Sequence, residues 1–353
     1  MENGIGDKIY RIINIIAKIP VNKLRNEGSV RNKVKLTVPQ NSSLSLNLST
    51  EIQGNTMTGV TIYSILKVSL VILEERMSTY HKLIIGNCTS MKEISDGNIN
   101  LIVTSPPYFN APFDYEGLYN SYEQYLNVLK NVAEESFRVL QNGRIFVLNI
   151  DDMLIDGEKF PIVADATRIF LEAGFRYRDR IIWKKPDGYL RISRRSGVIL
   201  QNPYPMYFYP DNLLESIIIF QKGRFDYKSI PRETREASKI DLKEFQDNKW
   251  YMTLWEMVNV LPGSTIEKCI AAFPDELAYR CIKLFSYVGE TVLDPFCGSG
   301  TTLKVARELG RNSIGIEIND SLLSIIKTKM GFDGQTLIFN QEDKFEYILR
   351  EEK

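Results

Sequence analysis

From residue 82 onward, short apolar runs alternate with longer stretches whose apolar residues recur at helical spacing. KLIIG and NINLIVT read as strands, with TSMKEI a short helix between them. In SYEQYLNVLKNVAEESFRVL, Tyr125, Val128, Leu129, Val132 and Phe137 fall on one helical face, and Asn142-Gly143 beyond it predicts a C-cap. GRIFVLNI is then a strand, FPIVADATRIFLEAG a helix closing on Gly174, and FRYRDRIIWK and LLESIIIFQKG two more strands. The pattern breaks over residues 224–263, which are polar, irregular and rich in Trp. It resumes with a helix in PDELAYRCIKLFS, a strand in TVLD, a helix in GTTLKVARELG and a strand in NSIGIEI. Alternating strands and helices of this kind predict an α/β domain built on a largely parallel sheet, interrupted by an insert.

The first 79 residues do not share the alternation. DKIYRIINIIAKI predicts an amphipathic helix, and a basic segment and then a Ser/Asn-rich one follow it. The longest apolar stretch, Gly59 to Leu73, is too short to span a bilayer comfortably and carries Lys67 near its middle, so a packed element is expected rather than an anchor. The N-terminus lacks the charged start and apolar centre of a signal peptide. Residues 1–79 are therefore expected to form an accessory region, and residues 80–353 the main domain.

Composition narrows the chemistry. The chain has 353 residues and 44 basic against 44 acidic side chains, so overall charge favours no partner. Its four cysteines, Cys88, Cys269, Cys281 and Cys297, form no C-x-x-C pair, which points to unpaired thiols in a reducing cytoplasm. With His81 the only histidine, a zinc site and a His-dependent nucleophile are both disfavoured, and no metal is expected.

Two stretches stand out. In LIVTSPPYFN, residues 101–110, an apolar strand runs into two prolines, which fix φ and remove backbone donors, and the resulting stiff corner presents Ser105, Pro106, Pro107 and Tyr108. In TVLDPFCGSGTT, residues 291–302, a strand ends in Asp294 and a turn containing Gly298, Ser299 and Gly300 leads into a helix at Thr301. Glycines there let backbone amides approach a ligand at a helix N-terminus. Glu317 ends the next strand, where an acidic group suits the hydroxyls of a ribose.

Together these stretches resemble the S-adenosylmethionine-dependent DNA amino-methyltransferases. DPFCGSGTT resembles their cofactor loop, TSPPY their catalytic loop, and IEKCIAAFPDEL, with Phe273, the segment flanking the methionine moiety; the likeness runs from about Lys82 to Lys329. The catalytic loop precedes the cofactor loop, which resembles the beta-type order of that family. The resemblance implies a Rossmann-like fold with a mostly parallel seven-stranded sheet and helices on both faces. It also implies S-adenosyl-L-methionine as methyl donor and duplex DNA as substrate, reached by base flipping. Asp294, Phe296, Cys297, Gly298, Ser299, Gly300, Thr301, Glu317 and Phe273 would hold the cofactor. Asn87 would too, although it replaces the family's usual Asp near the adenine.

Within that resemblance, Ser105 Oγ and the Pro106 carbonyl would accept hydrogen bonds from an exocyclic amine, while Tyr108 would stack on the base. No Pro-Cys dipeptide exists to attack ring carbon 5 of cytosine. Ser-Pro-Pro-Tyr favours N4 of cytosine, with N6 of adenine the alternative. RNA or protein-amide methylation, or an inactive DNA-binding homologue, are the other classes. A restriction–modification role is expected, with a cognate endonuclease as partner and the enzyme a monomer or homodimer without a membrane association. The basic run over residues 176–195, including Arg176, Arg178, Lys184, Lys185, Arg191, Arg194 and Arg195, is the expected DNA surface, and 224–263 the expected target-recognition insert. The aromatic cluster YPMYFYP, residues 204–210, fits either the base pocket or the core.

Overall fold

A computed structural model describes residues 78–110, 118–155, 157–186, 200–208, 210, 212–258, 273–333 and 342–350. The expected N-terminal helix, the apolar stretch 59–73, and Arg191, Arg194 and Arg195 lie outside the described residues, as does the part of the insert beyond 258.

In chain order the elements are β1 (Tyr80–Ile85), β2 (Ile99–Thr104), α1 (Tyr122–Val139), β3 (Leu140–Ile150), a hairpin of β4 (Met153–Ile155) and β5 (Glu158–Phe160), α2 (Ile162–Glu172), β6 (Arg176–Lys184) and β7 (Leu214–Gln221). After a 3-10 turn come α3 (Arg232–Ala237), α4 (Leu242–Asp247), β8 (Leu254–Glu256), α5 (Asp275–Phe285), β9 (Thr291–Asp294), α6 (Thr301–Glu308), β10 (Asn312–Glu317), α7 (Leu323–Lys329) and β11 (Lys344–Leu349).

The sheet order is β11-β1-β10-β9-β2-β3-β7-β6-β8, so the described sheet has nine strands where the family resemblance implies seven. β7 runs antiparallel to both its neighbours and every other pairing is parallel. The two added strands are at the edges: β11 beside β1, and β8, which comes from the insert, beside β6.

Strand composition follows from burial on both faces, which selects near-continuous apolar runs over alternating ones. Along β3 and β7, Phe146, Leu148, Ile218 and Phe220 enter one cluster with α1 and α2, whereas Ile145, Val147, Ile217 and Ile219 enter a second with α5 and α6. A third cluster joins β1 to α6 and α7 through Leu83, Ile85, Leu303 and Ile326.

Two local expectations fail. TSMKEI forms turns, not a helix; the Met91 amide donates to Glu135 and Arg138 reaches the Met91 carbonyl, so α1 side chains satisfy this backbone instead. Asn142-Gly143 is no C-cap, because α1 ends at Val139 and the chain enters β3 directly at extended Leu140. Gly143 instead occupies a left-handed position (φ 86°) within β3, where the Phe225 backbone packs so closely that a side chain would collide with it.

Candidate active site

The sheet brings the two informative stretches together. β2 and β9 are parallel neighbours, with Leu101 opposite Val292 and Ile102 opposite Leu293. From β9 the chain passes to β10 on one side, and from β2 to β3 on the other. Connections that leave in opposite directions open a crevice at the carboxyl ends of such strands, where ligands of open α/β sheets bind. Ser105 follows β2 and the Gly298–Gly300 turn follows β9, so a separation of 190 residues between Thr104 and Asp294 reduces to one inter-strand step.

Asp294 locks the two loops. Thr104 Oγ1, one residue before Ser105, donates to Asp294 Oδ1 at 2.6 Å, and Thr302 Oγ1 on α6 donates to Oδ2 at 2.6 Å. The Phe296 amide adds a bond to Oδ1 at 3.1 Å. Burial pushes the Asp294 carboxyl up to about 6 even though these three donors pull the other way, with nearby Glu317 raising it further.

The turn has the conformation its glycines permit. Gly298 (φ 50°) and Gly300 (φ 86°) are both left-handed, and a Cβ on Gly300 would sit 3.2 Å from Ile326 Cγ2. The Gly298 amide donates to Glu317 Oε2 at 2.9 Å, and the Asn319 amide to Oε1 at 2.9 Å. Glu317, buried at the carboxyl end of β10, therefore ties the turn to the neighbouring strand.

Lys329 on α7 donates to Ser299 Oγ at 2.8 Å and to Thr301 Oγ1 at 2.7 Å, so both hydroxyls are already engaged. The Cys297 side chain packs into the third core cluster, and burial followed by Glu317 and Asp294 drives its thiol well above the usual range. Phe296 packs against the first cluster and Phe273 sits within the second. Asn87 lies just past β1; its Oδ1 accepts from the Thr89 amide at 2.9 Å.

On the other side of the crevice, Ser105 and Tyr108 are half-buried and Phe109 is anchored in the first cluster. Tyr108 OH donates to Glu215 Oε2 at 2.9 Å, and Asn149 Nδ2 donates to the same oxygen at 2.6 Å. Asn149 Nδ2 also lies 3.4 Å from both Ser105 Oγ and Tyr108 OH. Lys185 closes the group with an ion pair to Glu215. Burial and then the Glu215 charge raise the Tyr108 hydroxyl well above its ordinary value, so it stays a neutral donor. Asp151, bonded to Asn212, is pushed up to about 6 by burial and then by Glu215.

Asn149, Asp151, Glu215 and Lys329 lie outside the motifs, and Thr104 and Thr302 lie within them without their bonds to Asp294 being visible from sequence. Asn149, Asp151 and Glu215 do carry a signal: each is a polar residue at the end of a β3 or β7 apolar run that faces the crevice. Lys329 has none, since only the fold brings α7 to the turn.

The basic run is divided. β6 passes from Arg176 to Lys184, a separation of roughly 26 Å at about 3.3 Å per residue. Lys184 and Lys185 stand at the crevice end, because β6 is parallel to β3 through their common antiparallel partner. Arg176, bonded to the Gly223 carbonyl, and Arg178, whose guanidinium lies 5.8 Å from the Phe285 ring centroid, belong to the opposite half. In the aromatic cluster, Tyr204, Met206, Tyr207 and Phe208 are exposed, so these four are not core residues. Among the described residues no group of three or more His, Cys, Asp or Glu could hold a metal ion, and no helix is long and apolar enough to cross a membrane.

Residues 99–328 match the N6_N4_Mtase family, described as DNA methylase. The type II methyltransferase M.MjaI of Methanocaldococcus jannaschii is 35% identical over 287 residues, covering 72% of this chain and 92% of its own. M.MthZI of Methanothermobacter thermautotrophicus, also a type II methyltransferase, is 31% identical, with 72% of this chain and 77% of its own covered. Among solved structures, TTHA0409 of Thermus thermophilus, assigned as a DNA modification methylase and complexed with S-adenosyl-L-methionine, superposes with a TM-score of 0.60. It is 26% identical and covers 77% of this chain and 100% of its own.

Proposed function

The chain belongs to the DNA methylase family that unites N6-adenine and N4-cytosine enzymes, and on that premise we propose that it transfers a methyl group from S-adenosyl-L-methionine to the N4 amine of cytosine in duplex DNA. One observation carries the reading: the Thr104–Asp294 hydrogen bond, which fastens the Ser-Pro-Pro-Tyr corner to the glycine turn at the switch point of the sheet.

The residues fit the cofactor. The left-handed glycines open an approach to the amides at the start of α6, while the buried carboxylates Asp294 and Glu317 give the pocket a negative character suited to a cationic donor. S-adenosyl-L-methionine supplies a methyl group on a positively charged sulfur, a good leaving group. The protein's part is then to present the amine.

An exocyclic amine is a poor nucleophile because its lone pair is delocalised into the ring. Acceptors directed at its two N–H bonds favour a tetrahedral nitrogen and release that lone pair. In this reading Ser105 Oγ and the Pro106 carbonyl supply those acceptors. Orientation provides most of the remaining rate, since well-placed reactants gain about 7–11 kcal/mol over free ones. Tyr108 stacks on the extruded base, returning roughly 1–3 kcal/mol against an unstacking cost of about a few kcal/mol.

Lys184, Lys185 and the Tyr204–Phe208 turn contact the duplex, and the insert reads the sequence. The insert is suited to this because β8 attaches it to the crevice end of β6, while Trp250 and Trp255 anchor it against α5. Relatives named as type II methyltransferases support a restriction–modification role, and a cytoplasmic location and a cognate endonuclease belong to this proposal. The test is to incubate the protein with labelled S-adenosyl-L-methionine and plasmid DNA, digest to nucleosides and separate them. N4-methylcytosine is the expected product. N6-methyladenine would move the target base within the family, and label in RNA or protein alone would overturn the DNA reading.

A further inference from the structure

Glu215 has no part in the family motifs, yet it is 7% exposed and sits behind the catalytic corner. Burying a carboxylate is costly unless donors surround it, and here three do: Tyr108 OH, Asn149 Nδ2 and Lys185 Nζ. These come from the loop after β2, from β3 and from the end of β6, so the carboxylate is where three separate elements converge.

We propose that Glu215 is a positioning residue that fixes the Tyr108 ring and, through Asn149, the Ser105 hydroxyl in the geometry methyl transfer needs. The inference rests on the methyltransferase reading above and assigns the residue that sets its catalytic corner. A carboxylate accepts hydrogen bonds and cannot donate them, so Glu215 dictates that the Asn149 amide turns its NH2 inward. That same NH2 faces Ser105 Oγ and Tyr108 OH at 3.4 Å, which leaves Asn149 Oδ1 buried and without a hydrogen-bond partner. An unpaired buried acceptor of this kind is destabilising. The amide is therefore held against its own preference, and a neutral group at position 215 lets it rotate. Lys185, ion-paired with the carboxylate, links it to the strand end assigned to DNA, so the corner is braced from the substrate side.

The experiment compares wild type, Glu215→Gln and Glu215→Ala in methyl transfer to plasmid DNA, with kcat and KM for DNA resolved, S-adenosylhomocysteine affinity measured by calorimetry and thermal stability recorded. Misplacing a reacting group by about 1 Å costs on the order of 10²-fold in rate, and a loss of that size in kcat is expected for Glu215→Ala, with ligand affinity within threefold of wild type. Glu215→Gln, which still accepts from Tyr108, is expected to recover part of the loss. Two results overturn the proposal: kcat within threefold of wild type for Glu215→Ala, or equal losses of kcat, ligand affinity and melting temperature in both variants, which mark a purely structural role. Failure of wild type to methylate DNA would instead sink the functional reading, so the two outcomes are distinct.

Discussion

Asp294 shows how a single side chain can serve architecture and electrostatics together. It joins the end of β2 to α6 beside the glycine turn and, when ionised, places a negative charge in the crevice. Its carboxyl is raised from the ordinary 3.8 to about 6, chiefly by burial. The unfolded chain ionises first, so this group favours folding most below about pH 4, and the contribution is lost as pH rises through about 6. For the ligand the sign is opposite, because protonation removes the attracting charge. Affinity for S-adenosyl-L-methionine is expected to weaken as pH falls below about 6, and calorimetry across about pH 5 to 8 checks it. Asp294→Asn should flatten that dependence. An unchanged slope in the variant would assign the titration elsewhere, with Asp151, also raised to about 6, the next group to test.

The elements explain why some features were legible in sequence and others were not. Strands such as NINLIVT and TVLD are apolar because both faces of the sheet are covered, and their ends coincide with the proline corner and the glycine turn. TSMKEI misleads because its helical pattern is overridden by α1 side chains that satisfy its backbone. Asn142-Gly143 misleads for a related reason: a left-handed glycine serves a kinked strand as well as it serves a helix end. The site's supporting groups, Thr302, Glu215 and Lys329, stayed hidden because their partners lie on other elements, and local pattern contains no such information. The turn itself yields a prediction. Gly300→Ala places a Cβ 3.2 Å from Ile326 at φ 86°, and a left-handed alanine costs about 1–2 kcal/mol. A lower melting temperature and weaker cofactor binding are expected; full stability would contradict the strained geometry.

At the scale of the molecule, the sheet distributes charge in a way the linear sequence conceals. A run dense in Lys and Arg reads as one patch, yet strand geometry sends Arg176 and Arg178 to one end and Lys184 to the other. Neutralising one phosphate-contacting charge reduces the slope of log affinity against log salt by about one. Lys184→Gln is expected to do so in titrations of duplex DNA at several salt concentrations, whereas Arg178→Gln is expected to leave the slope unchanged. Equal effects of both would mean that DNA wraps the length of β6. The insert follows the same logic, since its last described strand, β8, extends the sheet at the crevice end of β6.

One crevice must serve both loops, and a crystal structure with S-adenosylhomocysteine bound measures this directly. The ligand is expected at the β9–β2 switch point, its backbone-facing side on the Gly298–Gly300 turn and its sulfur opening toward Ser105. A ligand bound elsewhere, or bound with its sulfur walled off from Ser105 and Tyr108, would contradict the account.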